Sequence, residues 1–118
     1  AMFNVVGRNH DDHVKNIAFL MNRIGKWRLS PAFDASYAWD PKGEWTSRHQ
    51  MSINGKRDGV DRNDLIDLAK VAGIKKARAN EMIDRVIATV CRWLDFAEKA
   101  GIAAARAAEI QANQRTRL

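Results

Sequence analysis

The stretch that decides the reading is NHDDHVKNIAFLMNRIGKWRL, Asn9 to Leu29. Its opening, Asn9 to Asn16, crowds two histidines, two aspartates, a lysine and two asparagines into eight positions. The polarity then stops. Ile17-Ala18-Phe19-Leu20-Met21 is an apolar run of strand length and reads as a short buried strand. Asn22–Lys26 (NRIGK) supplies turn residues and Trp27-Arg28-Leu29 alternates after it, so the spacing predicts a β-hairpin. Ser30-Pro31 ends the hairpin, because the residue before a proline stays extended and the ring brings no ladder donor. A loop dense in titratable groups, aimed by a hairpin, is the feature to explain.

Upstream, Phe3, Val5 and Val6 are apolar with no capping residue ahead of them, and Ala1-Met2 reads as a cloning scar. The expectation is a C-terminal piece of a longer chain, entered in mid-element. Downstream, residues 35–60 are expected to be irregular, with Gly43, Gly55 and Gly59 as turn points; a loop that long in a compact domain is usually functional or disordered. Composition then changes. Residues 1–60 hold most of the aromatics, both prolines and all three histidines; residues 61–118 are rich in Ala, Arg, Ile and Glu.

Asp61 is placed to cap a helix running to about Ala72, with Gly73 just past its end. Leu65, Leu68, Ala69 and Ala72 give that helix its apolar face. Ala79, Met82, Ile83, Val86, Val90, Trp93, Leu94 and Ala97 recur at helical spacing and predict one long helix from Lys76 to Lys99, about 36 Å in length. Its stripe from Met82 to Leu94 reads as core. Gly101 ends it, a third helix follows from Ile102 to Asn113, and the tail QRTRL (Gln114–Leu118) is expected to fray. The expected fold is α+β and mainly helical: a short β-hairpin carrying the loop, plus about three helices. Residues 1–60 would hold the loop, the hairpin and a metal or substrate loop; residues 61–118 would form a helical subdomain. Together they would make one partial domain.

Net charge is +6 and the isoelectric point about 9.9. That suits an anionic partner such as a nucleotide, a nucleic acid or an acidic protein face, set against the plainer reading of a solvated basic surface. A single cysteine, Cys91, excludes an intramolecular disulfide and suits a reducing compartment; it lies in a helical apolar pattern and reads as a buried thiol. There is no secretory signal and no apolar run near the length of a membrane span, so a cytoplasmic protein is expected.

Three chemistries can use the Asn9–Asn16 loop. The first is a transition-metal site of the phosphohydrolase kind, built from His10, Asp11, Asp12 and His13. Consecutive residues point different ways, however, and the only other histidine is His49, read as a local hydrogen bonder. The second is a polar turn whose carboxylates cap backbone N–H groups. The third is phosphoryl transfer. The protein-kinase catalytic loop carries an Asp that accepts the substrate hydroxyl proton and, five residues on, an Asn that holds Mg²⁺. Asp11 and Asn16 stand at that spacing and Asp12 does not. Lys15 lies between them and can reach a phosphate as a point charge. Asp34, in SPAFD just past the hairpin, would supply a second oxygen, and Mg²⁺ favours few protein oxygens with waters and phosphates completing its octahedron.

RNHDDHVKN (Arg8–Asn16), LSPAFD (Leu29–Asp34) and HQMSINGKR (His49–Arg57) together resemble the C-terminal lobe of the HipA-type serine/threonine kinases, the toxin half of bacterial type II toxin–antitoxin pairs. The resemblance runs over nearly the whole chain and is strongest over residues 3–60. It implies a kinase-like fold with a mostly helical larger lobe, ATP and Mg²⁺ as cofactors, a protein substrate phosphorylated on Ser or Thr, and a small DNA-binding antitoxin as partner. Carried over by position, Asp11 would be the catalytic base, Asn16 and Asp34 the metal ligands, and His13 and Lys15 would support the loop and the phosphates. Two departures stand out. Asp12 occupies a place where the family often has a small or neutral residue. The chain also has no glycine-rich nucleotide loop and no strand lysine paired with a helix glutamate, as if the N-terminal lobe were missing. The expectation is therefore a kinase parent and an inactive isolated piece.

The competing class is a basic helical module that contacts protein or DNA in a toxin–antitoxin complex without catalysis. Lys75, Lys76, Arg78 and Arg85 would form its basic face, through salt-dependent phosphate contacts, unless that face is merely solvated. Lys56 and Arg57, between glycines, are candidates for substrate or nucleotide contact, with a solvated turn as the alternative. Trp39 and Trp45 flank DPKGE and read as packing for that excursion rather than as base-stacking groups.

Overall fold

The computed structural model describes residues 1–118. It is a small α+β fold of five helices and one two-stranded antiparallel hairpin. The elements in chain order are α1 (Met2–Gly7), β1 (Phe19–Met21), β2 (Trp27–Leu29), α2 (Arg62–Val71), α3 (Lys76–Val90), α4 (Trp93–Lys99) and α5 (Ala104–Asn113).

The hairpin has the expected turn. Asn22 Oδ1 accepts from the backbone N–H groups of Ile24 (3.1 Å) and Lys26 (2.9 Å), and the strands pair Phe19 with Leu29, Leu20 with Arg28 and Met21 with Trp27. The expected burial is absent. Every residue of both strands is exposed, so the apolar run from Ile17 serves a ribbon with both faces bare rather than a core strand.

The first half is not all strand and loop either. Phe3, Val5 and Val6 belong to helix α1, and Val5 and Val6 are fully buried. Three apolar residues within four positions do not distinguish a helix turn from a strand, which is why spacing misses this helix. Val5 joins Ile53, Val60, Leu65 and Ile83 in the core cluster, so α1, the long loop, α2 and α3 meet at one point.

Helix α2 starts and stops as expected. Asp61 accepts from the N–H groups of Asn63 (2.8 Å) and Asp64 (3.1 Å), while Asp64 returns a bond to the Asp61 N–H, a reciprocal capping box. Gly73, at φ +72°, lets the Ile74 N–H reach back to the Ala69 carbonyl at 2.9 Å and close the helix.

The long second helix is two. α3 stops at Val90, and α4 begins at Trp93. Near the break Val86, Ile87, Thr89 and Val90 crowd the backbone, and the Thr89 hydroxyl donates to the Arg85 carbonyl at 2.8 Å, a back-bond that bends helices. Past the break, Trp93 Nε1 donates to the Ala107 carbonyl at 2.9 Å and fastens α4 to α5. The expected stripe divides accordingly: Ile83 and Val90 are buried while Leu94 is 43% exposed. Cys91 sits at the break and is exposed, not buried as the periodicity suggests. The tail does not fray. The Arg115 N–H donates to the Val6 carbonyl at 2.8 Å, and Leu118 packs against the core cluster.

Candidate functional site

The loop from Asn9 to Asn16 is fixed at its entrance by backbone geometry. α1 ends at Arg8 in the left-handed region (φ 59°), uncommon for a residue with a side chain, and the chain turns sharply there. The His10 N–H then donates to the Ala38 carbonyl and the Ala38 N–H to the Arg8 carbonyl, both at 3.0 Å, forming a short parallel bridge. Asn9, nearly buried, donates from Nδ2 to the Asp34 carbonyl at 3.3 Å. Asp34 itself is at φ 53°, a conformation that costs a non-glycine residue energy and recurs at functional sites. The hairpin's far end is thereby tied back to the loop's near end.

At the exit, Val14–Asn16 makes a short 3₁₀ turn. Asn16 Nδ2 donates to the Asp11 carbonyl at 2.9 Å, which leaves Oδ1 without an intramolecular donor. The Asp11 carboxylate is about half exposed, and His13 Nε2 lies 3.7 Å from its Oδ1. Lys15 is exposed and makes no ion pair. Asp11, His13 and Asn16 are brought together, with Asp34 held to the same stretch through Asn9; Lys15 projects from the turn.

Beneath this rim lies a cluster that spacing does not reveal. His10, Asp12 and His49 are 1%, 4% and 2% exposed. Asp12 Oδ2 accepts from His49 Nδ1 at 2.9 Å, and its Oδ1 accepts from the N–H groups of Gln50 (2.8 Å) and Met51 (3.3 Å). The His10 and His49 rings lie 4.1 Å apart, centre to centre. Burial pushes the Asp12 carboxyl up, but the His49 bond and charge and the two backbone donors outweigh it and hold it below the usual Asp range. Burial first, then the charges of His49 and Arg8, lower His10 to about 4. His49 is thus no local hydrogen bonder: it joins positions 37 apart and staples the 49–51 segment to the loop. Asp12 is not a loose extra charge beside Asp11 but the carboxylate that receives this staple.

Lys56 and Arg57 are also committed within the chain. Lys56 Nζ donates to Asp64 Oδ2 at 2.8 Å, and Asn54 Nδ2 donates to Asp64 Oδ1 at 2.9 Å. With the Lys56 bond as the largest cause, the Asp64 carboxyl falls to about 2. Arg57 Nε donates to the His49 carbonyl at 2.5 Å. Trp39 lies under the Arg8 guanidinium, 4.4 Å from its ring centre, whereas Trp45 is 68% exposed. On the basic helical face, Arg78 pairs with Glu81 at 2.9 Å. No group of three or more His, Cys, Asp or Glu side chains is arranged to hold a metal ion, so the four-ligand reading of His10 to His13 has no geometric support. No helix is long and apolar enough to cross a membrane.

No curated protein and no solved structure matches the chain. The family model of the HipA-like C-terminal domain matches residues 1–94, four-fifths of its length. With the loop, the hairpin and the helices that carry them all inside that span, the chain belongs to the HipA-like C-terminal domain family.

Proposed function

We propose that this domain is the base- and metal-bearing part of a HipA-like serine/threonine kinase toxin with a kinase-like larger lobe, which transfers the γ-phosphoryl group of ATP to a Ser or Thr hydroxyl of a protein. One observation carries the reading. Asn16 is bonded to the Asp11 carbonyl, and Asp34 is bonded through its own carbonyl to Asn9, so base and both proposed ligands hang from one three-residue stretch.

The residues fit Mg²⁺. Asn16 Oδ1 has no donor within the chain, and the Asp34 carboxylate makes no ion pair. One amide and one carboxylate oxygen suit an ion that keeps most of its coordination for water and phosphate. Bound Mg²⁺·ATP supplies the phosphoryl group and neutralises charge on the phosphates. The chain's own residues do the rest. Asp11, half exposed at the rim, accepts the proton of the substrate hydroxyl and orients it. His13 Nε2 stands 3.7 Å from that carboxylate, within reach to support the loop. Lys15, exposed on the turn, would offer its cation to phosphate oxygens. The Asp12–His49 staple keeps the loop backbone from shifting, and catalysis of this kind depends on alignment and fixed charge.

The nucleotide-gripping lobe would come from residues outside these 118, and the isolated chain is expected to be inactive. The partners in this reading are a DNA-binding antitoxin and a cytoplasmic protein substrate, with DNA reached through the complex. The test is transfer of labelled γ-phosphate by a chain that joins this domain to its N-terminal lobe, with Mg²⁺. Label should reach protein Ser or Thr and fall by several orders of magnitude in Asp11→Ala while ATP still binds; Asp34→Ala should weaken Mg²⁺·ATP binding itself. If no label reaches protein in the unaltered chain, the non-catalytic interaction module is the correct class.

A further inference from the structure

The docked tail creates a second polar site. A pocket of about 430 Å³ opens between the end of α1 and residues 111–117, lined by Arg8, Asn113, Gln114, Arg115, Thr116 and Arg117 among others. No Asp or Glu lines it, and none of its three arginines forms an ion pair with a carboxylate. Two of the three guanidinium groups, those of Arg8 and Arg115, are held in place, while Arg117 is exposed. Arg8 Nε donates to the Asn113 carbonyl at 3.0 Å and its plane lies over Trp39 at 4.4 Å. Arg115 Nη1 donates to the Val60 carbonyl at 2.6 Å. Each of these two forks is anchored through one nitrogen to a backbone carbonyl and keeps its other donors unspent. Gln114, in the same pocket, has a buried Oε1 with no partner.

Unpaired cations do not gather at a half-buried place without cost. Burial and the nearby Arg115 charge both weaken the hold of Arg8 on its proton; Asp58 and Tyr37 offset this only in part. Guanidinium forks gathered at one pocket, two of them anchored, match the oxygens of a tetrahedral oxyanion better than a spherical halide.

From this convergence we infer that Arg8, Arg115 and Arg117 form a binding site for a phosphate dianion, either free or as a phosphate monoester. It is separate from the Asp11–Asn16 loop and bridges the C-terminal tail to the segment that leads into it. Occupancy would neutralise the arginine repulsion and clamp the tail onto α1.

The test is calorimetric titration of the 118-residue chain, without Mg²⁺, with inorganic phosphate and with phenyl phosphate. Saturable one-to-one binding is expected, weakened about tenfold or more in Arg8→Gln and in Arg117→Gln. Tighter binding of phenyl phosphate would identify a monoester carried on a larger molecule; tighter binding of inorganic phosphate would identify the free ion. Circular dichroism checks that Arg8→Gln is folded. If it is not, the exposed Arg117 decides alone. A response matched by sodium chloride at equal ionic strength, or binding undiminished in Arg117→Gln, overturns the inference.

Discussion

Acid should destabilise this domain through His10 at a higher pH than through Asp12. The side chain is 1% exposed, and burial with the charges of His49 and Arg8 lowers its pKa to about 4. In the unfolded chain the same imidazole titrates near 6.5. Above that value it is neutral in both states and costs nothing. Between about 6.5 and about 4 the unfolded chain takes up a proton that the folded chain refuses, so stability falls with pH by about 1.4 kcal/mol per unit. Below about 4 both states are protonated and the loss is complete, about 3 kcal/mol in all, a large part of a small domain's stability. Asp12 acts in the same direction but lower: its depressed pKa adds stability above the ordinary Asp value, lost as pH falls through the folded one. Of these two groups, His10 is the one that acts in the window from about 6.5 to about 4. His10→Phe keeps a ring against His49 and removes the titration. Urea unfolding followed by tryptophan fluorescence, from about pH 7.5 to about pH 4, should show the wild type losing about 3 kcal/mol more than the variant. Parallel losses in the two proteins would refute the burial argument.

Leu65, fully buried at the meeting point of α1, the long loop, α2 and α3, should cost about 2–5 kcal/mol on change to Ala, read as a lower urea midpoint with unchanged slope. Asp61→Ala removes one arm of the capping box and should cost about 1 kcal/mol by the same assay, with Asp61→Asn recovering most of it. Cys91, exposed at the α3–α4 break, should react fully with a chromogenic thiol reagent in the native state; protection until urea unfolds the protein would mean that the helix is continuous there.

Signals that act over a few residues were legible. Asn22 and Gly25 specify the hairpin turn, and Asp61 and Gly73 mark the two ends of α2, because each effect is a local hydrogen bond or a backbone conformation. The break at Cys91 was not legible. Apolar residues keep their helical spacing straight across it, no Gly or Pro interrupts, and the tether of Trp93 to Ala107 lies in the next helix. The hairpin was placed but its environment was not, since an apolar run states what a segment needs covered and not whether the cover lies within the same 118 residues. In the loop, Asp11 and Asn16 follow from counting, while the pairing of Asp12 with His49 depends on how a long irregular segment folds back. The tail shows the same limit: nothing in QRTRL announces that Arg115 bonds to Val6.

The bare hairpin bears on how stiff the proposed metal site can be. A two-stranded ribbon in water is marginal, and local openings draw on elements with few buried contacts. None of the residues Phe19–Met21 and Trp27–Leu29 is buried, so their amides should exchange with solvent far sooner than those of α2 or α3. Asn16 stands just before this ribbon and Asp34 just after it, so each opening lengthens the tether between the two proposed ligands. Whatever shields Phe19, Met21, Trp27 and Leu29 from water also shortens the time that those oxygens spend apart. Affinity for the ion and cover for the ribbon are then linked quantities, and each can be measured through the other.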